Sequence, residues 1–283
     1  MRIINTFISD GGEVPEYVVD CLMQARHYNK DVPIDFICAD NQHFFNDLKI
    51  NWIRQDGLSR GTLVSKFNRV CKFKRHGTPN TTYPSPELFW HRTAERIFYL
   101  AQHMELWSMY NVFHFENDVL LYHPLSEVKT NEKISVTPMS DFQTTFAFCH
   151  IPSHNAITEL CTYFNEALLH GEDKLLRFGY DHISEMSLLN MAFRNKLVEG
   201  FPTLQNLENK DGFIYDPGSY GQYFGGTNNG HSEGFTDPKH YIGEAIRRGY
   251  LSPKINDGKP ETQFNRIFNL HIHSKNLKGF INV

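Results

Sequence analysis

Two carboxylates, Glu116 and Asp118, follow the apolar run Val112–Phe115 with a single asparagine between them. Carboxylates this close repel each other, and removing them from water is unfavourable unless a cation or hydrogen-bond donors compensate their charge. Mn²⁺ and Mg²⁺ suit this purpose because they prefer hard oxygen ligands and leave coordination positions free for phosphate oxygens. The pair therefore predicts a divalent-metal site; a solvated turn that contains two acids by coincidence is the alternative.

A second set of candidate ligands lies far along the chain, in the sequence Leu270-His-Ile-His-Ser-Lys275. Side chains alternate along a strand, so His271, His273 and Lys275 would share one face. Imidazole suits Mn²⁺ as a borderline ligand, and a lysine ammonium suits a diphosphate. If this segment meets the two acids, the sequence predicts a site for a complex of a metal ion and a diphosphate. Taken alone, a His-x-His pair is more typical of a structural contact.

The first sixty residues predict the sheet that would position these groups. Apolar runs at 2–9, 33–40 and 50–56 predict strands, and a helix is expected at Tyr17–Tyr28. This alternation is typical of a parallel α/β sheet, in which ligands bind beyond the carboxyl ends of the strands. The polar residues expected at that edge are Ser9, Asp10, Asp40, Asn41, Gln55 and Asp56.

The middle of the chain continues the pattern of helices and strands. Ser85-Pro-Glu is typical of a helix start, and this helix leads into the acid motif. Ser153 is expected to begin another helix, and Gly171 to end it. From about Asn209 the chain is rich in Gly, Asn, Asp and Pro, which predicts loops. The other predicted elements are strands at 133–139, 144–152 and 267–275 and helices within 62–75 and 184–194.

Composition limits the class of protein. The 283 residues are 40% hydrophobic and 21% charged, and they contain no repeat or obvious linker, so we expect a single globular domain. A net charge of −4 argues against a nucleic-acid partner. Five scattered cysteines without a C-x-x-C motif favour a reducing compartment. No run approaches the roughly 20 apolar residues of a membrane span, and no leader is evident, so we expect a cytoplasmic protein.

The acid motif at the end of an apolar strand resembles the mark of the GT-A glycosyltransferases, which use nucleotide-diphospho-sugars. Their D-x-D motif corresponds here to Glu116-Asn-Asp118, with Glu in place of the first Asp. The resemblance implies that Asp118 binds Mn²⁺ (or Mg²⁺) and that Glu116 lies near the ribose and the metal. Several GT-A families add a histidine and a lysine from a C-terminal strand. This implies His273 or His271 as a further ligand, with His273 preferred, and Lys275 at the diphosphate.

The same resemblance implies the fold and its division. It predicts a GT-A, Rossmann-like α/β domain with a mixed, mostly parallel central sheet flanked by helices. Residues 1–122 would form the nucleotide-sugar half and residues 123–283 the acceptor half with the C-terminal metal and diphosphate strand. The segment 213–226, "FIYDPGSYGQYFGG", resembles an acceptor-side segment of such enzymes.

The implied activity is hexosyltransferase-type transfer from a nucleotide donor, with UDP-sugar as first choice, to a hydroxyl group, expected on a glycan. An inverting reaction also needs a base for the acceptor proton. Asp181, Glu185 and Asp216 are candidates, with a helix N-cap, a first-turn acid and a turn initiator as the respective alternatives. The residues expected near the nucleotide are Thr6, Phe7, Ser9, Asp40 and Arg96; a salt bridge is the alternative for the arginine.

Two other functions remain open on the sequence. A metal-dependent hydrolase of phosphate esters or nucleotide-sugars would use the same acids and histidines. A non-catalytic sugar- or nucleotide-binding protein would use the loop Tyr215–Gly226 as its recognition surface.

Overall fold

Four parallel strands form one half of the central sheet. They are β1 (Arg2–Phe7), β2 (Ile34–Cys38), β3 (Ile50–Arg54) and β4 (Tyr110–Phe115). β1 lies between β2 and β4, and Ile3 is in register with Ile34 on one side and Phe113 on the other. Because all four strands run in one direction, their carboxyl ends, including the acid motif after β4, share one edge of the sheet. In this computed structural model, the described part of the chain comprises residues 1–71, 86–170, 177, 179–180, 183–204, 212–227 and 231–282.

The other half of the sheet is mixed. The short β5 (Val119–Leu121) leaves the acid motif, and the chain then forms β6 (Ser135–Ser140), β7 (Gln143–Ser153) and β8 (Glu199–Gly200). The order in the seven-stranded sheet is β3-β2-β1-β4-β7-β6-β8. β7 is antiparallel to both of its neighbours, and the remaining pairs are parallel. The predicted α/β class with a mixed, mostly parallel sheet is confirmed.

Helices flank this sheet, and serine caps begin two of them. The hydroxyl of Ser153 accepts from the Ala156 backbone N–H at 3.2 Å, as predicted. Ser184 forms a reciprocal capping box with Ser187. Ser85 and Gly171, the other predicted helix boundaries, lie outside the described residues. The helices of the described ranges are α1 (Glu16–Tyr28), α2 (Gln55–Ser59), α3 (Thr62–Val70), α4 (Pro86–Leu106), α5 (His154–Leu169), α6 (Glu185–Arg194), α7 (Ser219–Tyr223) and α8 (Tyr241–Arg247), with single 3₁₀ turns at His43–Phe45, Leu125–Glu127 and Leu277–Gly279.

The central strands are buried on both faces. Ile3 and Phe113 belong to a core on the side of α1, whereas their neighbours Ile4 and Val112 belong to a core with α4, α5 and α6. Alternating side chains therefore meet apolar partners on either side of the sheet. This explains why apolar side chains of β1 and β4 point to both faces of the sheet, and it makes charged residues after β4 conspicuous.

The region after Asn209 contains short elements where the sequence predicted loops. β9 (Phe213–Ile214), β10 (Lys254–Asn256), β11 (Lys259–Glu261) and β12 (Arg266–Ile267) form a small sheet in the order β10-β11-β12-β9. β13 (Asn269–His271) pairs antiparallel with β5. The single strand predicted at 267–275 was wrong in extent, because the chain leaves β13 after His271 and turns. Strands of two or three residues are too short to show a period of two.

Three buried histidines make the fold sensitive to acid. Burial lowers the pKa of His114 to about 3 and the pKa values of His123 and His150 to about 4. Below the ordinary histidine pKa of about 6.5, the unfolded chain takes up protons at these positions and the folded chain does not. We therefore expect the free energy of unfolding to fall as the pH is lowered from about 6.5 to about 4.

His123 offers a direct test of this dependence. Its ring packs against Phe213 and Phe268, with centroid distances of 4.6 Å and 6.0 Å, so phenylalanine should fit in its place. Near pH 5 the unfolded wild type binds a proton at His123 and the folded wild type does not, and His123→Phe removes this difference. The slope of unfolding free energy against pH should therefore decrease by about 1.4 kcal/mol per pH unit near pH 5. Urea unfolding at a series of pH values measures the slope. The exposed His27, replaced by glutamine, is the control; an unchanged slope in His123→Phe would contradict the assignment.

Candidate metal and diphosphate site

Pairing of β5 with β13 brings the two predicted motifs together. His271 is in register with Val119, and Leu270 with Leu120. One residue further along, the Ile272 N–H donates to the backbone carbonyl of Asp118 at 2.8 Å. The backbone ladder therefore continues into the acid motif itself, and it sets the histidine segment directly beside the two carboxylates.

Glu116, Asp118 and His271 form a compact cluster. Nε2 of His271 lies 3.3 Å from Oε2 of Glu116 and 3.3 Å from Oδ1 of Asp118. One candidate ligand atom from each residue lies within 4.8 Å of the other two. The side chains of Glu116, Asp118 and His271 are 21%, 9% and 7% exposed, so the cluster is largely shielded and Glu116 is its most exposed member.

Lys275 closes the cluster from the solvent side. Its backbone has a φ of 59°, in the left-handed region, and its N–H donates to the Ile272 carbonyl at 3.0 Å. This turn directs Nζ to within 3.2 Å of Oδ2 of Asp118 and 5.0 Å of the centroid of the Tyr17 ring. The lysine side chain is still 43% exposed. The ammonium group of Lys275 is thus held beside the acids while it remains accessible to a ligand.

Opposite charges shift the pKa values of the cluster strongly. Burial has the largest single influence on Asp118 and raises its pKa, but His271 and Lys275 together hold that pKa well below its usual range. Burial likewise lowers the pKa of His271, and the two carboxylates outweigh it and raise the pKa to about 10. The charge of Asp118 is the main cause of the raised pKa of Lys275. The carboxylates are therefore ionised at neutral pH, and His271 carries a proton that a metal ion bound at Nε2 would displace.

Arg96 connects the acid motif to α6. Its Nη2 lies 2.6 Å from Oε1 of Glu116 and 2.8 Å from Oε1 of Glu185. Burial raises the pKa of Glu116, but Arg96 and His271 outweigh it and hold the pKa far below normal. For Glu185 burial prevails over Arg96, and the pKa rises to about 7. Of the two predicted roles for Arg96, the structure shows the ion pair, and it is buried between two carboxylates instead of lying at the surface.

Asp216 is fully buried and engages both of its carboxylate oxygens with the backbone. Oδ1 accepts from the N–H groups of Gly218 and Tyr220, each at 2.8 Å. Oδ2 accepts from Gly221 at 2.8 Å and from His271 at 3.0 Å. Burial raises the pKa of Asp216, and these four donors oppose that rise. These contacts fit the turn-forming alternative for Asp216, and its role as a base stays a prediction.

His273 packs on His271 and lies outside the cluster. The two ring centroids are 4.2 Å apart, with an angle of 74° between the ring planes. The side-chain amide of Gln222 donates to Nδ1 of His273 at 3.4 Å. Burial and the charge on His271 lower the pKa of His273 to about 3, so its ring is neutral. Among the described residues, His271 is therefore the histidine that meets both acids, although the sequence resemblance favoured His273.

The residues predicted near the nucleotide, apart from Arg96, lie at the carboxyl end of β1 or in the loops after β1 and β2. The carbonyl of Thr6 accepts from the side-chain amide of Asn117 at 2.7 Å, which fastens the acid motif to β1. Phe7 ends β1 and packs on the core beside α1. Ser9 exchanges two backbone hydrogen bonds with the Gln55 side chain, and Asp40 accepts from the Gly12 N–H at 2.6 Å. Thr6 thus lies beside the acid motif, whereas Ser9 and Asp40 hold the loops after their strands. Asp181 lies outside the described residues.

The sequence interpretation missed two contacts of the site. Nothing in the sequence indicated that Asn117 would hold β1 or that the Tyr17 ring would lie under Lys275. The single available signal for Tyr17 is its place in the first turn of the helix after β1, where helix residues face the ligand edge of the sheet.

The donor set fits a hard or borderline divalent cation. Two ionised carboxylates and one imidazole converge, and such oxygen-rich sets with a single nitrogen suit Mn²⁺. Glu116, Asp118 and His271 would hold the ion, and Lys275 would contact an anionic group bound beside it.

No protein-family model and no curated protein matches the sequence. Several solved structures are similar to it in part of the backbone. The PaToxG glycosyltransferase is 10% identical over 69% of each chain, with a TM-score of 0.43. Mouse xyloside xylosyltransferase 1 is 7% identical over 75% of this chain and 87% of its own, with a TM-score of 0.49. The galactosyltransferase LgtC, solved with donor and acceptor sugar analogs, is 9% identical over 75% of each chain, with a TM-score of 0.43. At such identities the similarity concerns the course of the backbone, and the chemistry of the site rests on its own contacts.

Proposed function

We propose that this protein is a metal-dependent glycosyltransferase that moves a sugar from a nucleotide-diphosphate donor to a hydroxyl group of a glycan. The observation that carries the proposal is the position of His271, with Nε2 3.3 Å from a carboxylate oxygen of both Glu116 and Asp118. Lys275, 3.2 Å from Asp118, supplies a cation at the same place. Two acids, an imidazole and an accessible ammonium together suit a complex of a metal ion and a diphosphate.

Each group of the site has a defined part in this proposal. Mn²⁺ or Mg²⁺, held by Glu116, Asp118 and His271, supplies Lewis-acid stabilisation of the leaving diphosphate when bound. Lys275 offsets negative charge that develops on the diphosphate as the sugar leaves. Arg96 keeps the Glu116 carboxylate ionised and fixed in orientation through its 2.6 Å contact.

The acceptor hydroxyl also needs a base if the reaction inverts the anomeric centre. Glu185 is a candidate whose protonation suits this role, because burial raises its pKa to about 7, near the expected operating pH. Asp181 and Asp216 are retained as predictions. If the rate of the wild type changes with pH near pH 7 and the rate of Glu185→Gln does not, the result would support Glu185 as the base.

We extend the proposal to the setting of the reaction. UDP-sugar is the proposed donor and a hexosyltransferase reaction the proposed class, both by the resemblance of the acid motif. Residues 1–122 would bind the nucleotide-sugar and residues 123–283 the acceptor, within one catalytic domain.

None of the helices among the described residues is both long and apolar enough to span a membrane. The scattered cysteines of the sequence support a proposed cytoplasmic location.

A ligand panel tests the proposed function. The melting temperature is measured with UDP-, GDP- and CMP-sugars, each with and without Mn²⁺, because a ligand that binds only the folded chain raises it. We expect a shift with UDP-sugar that requires Mn²⁺, followed by product formation in a screen of glycan acceptors. Hydrolysis of the donor at full rate without any acceptor would identify a hydrolase instead. Binding without any turnover would identify a non-catalytic binding protein.

Replacing Lys275 with alanine tests the diphosphate contact. The loss of one charge-assisted contact should raise the Kd for UDP-sugar about tenfold and leave the Kd for uridine within about twofold. Isothermal titration calorimetry with both ligands measures the difference. Lys278→Ala is a matched control, because Lys278 is three residues away, 65% exposed and paired with Glu16 at 2.7 Å. Equal weakening of both ligands in Lys275→Ala would separate the lysine from the diphosphate.

A further inference from the structure

Residues 216–222, a turn that leads into the start of α7 and is called the loop 216–222 here, pack against the segment that carries the two histidines. Asp216 gathers four backbone N–H groups, three from its own loop and one from His271 at 3.0 Å. The backbone of Asp216 is also paired with the Asn269 side chain, which accepts at 3.2 Å and donates at 3.1 Å. Asp216 and Asn269 are both completely buried. The backbone of β13 is thus fixed to this loop on the side away from β5.

Two glycines allow the close approach. A Cβ atom on Gly221 would lie 2.0 Å from the carbonyl oxygen of His271, and a Cβ on Gly218 would lie 2.7 Å from Cε1 of His273. Real Cβ atoms do not approach other atoms so closely, so any side chain at either position would displace the histidine segment. Gly218 also has a φ of 126°, which glycine adopts without strain.

The ring of His271 is oriented by packing on this side. Its Nδ1 is buried and has no hydrogen-bond partner among the described residues. Histidines that bind metals usually donate their second N–H to an acceptor, which fixes the ring. Here the ring of His273 packs edge-on against His271 instead, and Gln222 and Gly218 hold His273 in that position.

We propose that residues 216–222 form a bracket that positions His271 for metal binding, with Asp216, Gly218 and Gly221 as positioning residues. Asp216 sets the backbone of His271, Gly221 admits its carbonyl group, and Gly218 seats the His273 ring that orients the His271 imidazole. This inference rests on the proposed metal site, and it assigns a role to a segment that carries no ligand of its own.

A pair of glycine substitutions tests the bracket. Gly218→Ala and Gly225→Ala both place alanine at a positive φ, 126° and 92°, in the same part of the chain. Only the Cβ at Gly218 meets the histidines, because a Cβ at Gly225 meets nothing within 4 Å. Both variants should lose stability through backbone strain, but only Gly218→Ala should bind Mn²⁺ more weakly, by about tenfold or more. Mn²⁺ affinity is measured on the full chain by electron paramagnetic resonance, without nucleotide and well below the melting temperature.

A second variant protects the test against misfolding. Gln222→Met keeps the backbone and removes the hydrogen bond to His273, together with the bond that Gln222 Oε1 accepts from the Asp237 N–H at 3.3 Å. We expect a smaller loss of Mn²⁺ affinity, about threefold, with a changed resonance of bound Mn²⁺. If both Gly218→Ala and Gln222→Met bind Mn²⁺ like the wild type, the bracket has no positioning role and the proposed metal site stands. If the wild type binds no Mn²⁺, the proposed metal site fails and the bracket's role fails with it.

Discussion

Asp118→Asn should lower kcat/KM for sugar transfer by about a thousandfold and abolish Mn²⁺-dependent binding of UDP. The change removes a negative charge that faces both His271 and Lys275, at 3.3 Å and 3.2 Å, and it removes the proposed anionic metal ligand. A loss of about 4 kcal/mol of transition-state stabilisation corresponds to this factor. Asparagine has nearly the same shape, and the backbone carbonyl at this position still accepts from Ile272, so the fold should persist.

A surface acid provides the matched control for this result. Asp31 is exposed in the turn before β2, at the opposite end of the parallel strands from the acid motif, so Asp31→Asn should leave activity and metal binding unchanged. Turnover with saturating Mn²⁺ and calorimetric binding of UDP are measured for both variants, and circular dichroism verifies the fold. Wild-type activity in Asp118→Asn would eliminate the metal site as described.

The second large effect is expected for Arg96→Met, on stability. The arginine side chain is 11% exposed and lies between Glu116 and Glu185, so its removal leaves two carboxylates close together with little water. Breaking a buried ion pair in this way typically costs about 3–5 kcal/mol, which we expect as the decrease in unfolding free energy at pH 8. Urea unfolding measures it. The exposed Arg54, replaced by methionine, should lose no more than about 1 kcal/mol.

This loss should be smaller in mild acid. Burial already raises the pKa of Glu185 to about 7 while Arg96 is present, and removal of the cation raises it further. The folded variant then binds more protons than the unfolded chain above the ordinary glutamate pKa of about 4.3, so its stability falls as the pH rises through this range. The difference between variant and wild type should therefore be clearly larger at pH 8 than at pH 5. If variant and wild type differ by the same unfolding free energy at pH 5 and pH 8, removal of Arg96 does not leave the charges of Glu116 and Glu185 uncompensated.

The acid motif was predictable from sequence because of its contrast with its surroundings. β4 is buried on both faces, so a pair of carboxylates at its end stood out against an apolar run, and the parallel arrangement of β1, β2 and β3 fixed the edge on which the pair would lie. The chemistry of the histidine and lysine side chains made the later motif a candidate for the same site, and the resemblance of the acid motif implied it, although a His-x-His pair alone favoured a structural contact.

The choice between the two histidines was not predictable. Regular alternation places His271 and His273 on one face, but β13 ends at His271, and the ring of His273 packs behind it. The residue at which a three-residue strand ends depends on the loop that packs against the strand. The sequence around His271 does not indicate which distant loop that is. The contact of Arg96 with Glu185, 89 positions away, is likewise a product of tertiary packing.

The pairing of β5 with β13 also sets an order of events during synthesis. Asp118 and Lys275 are 157 residues apart, so at about 5–20 residues per second the ribosome adds the lysine roughly 10 to 30 s after the aspartate. Throughout that interval the nascent chain has its acids without the imidazole and ammonium that complete their surroundings. An incomplete chain therefore lacks part of the proposed metal and diphosphate site, which can form only after residues 269–275 have been made and β13 has paired with β5.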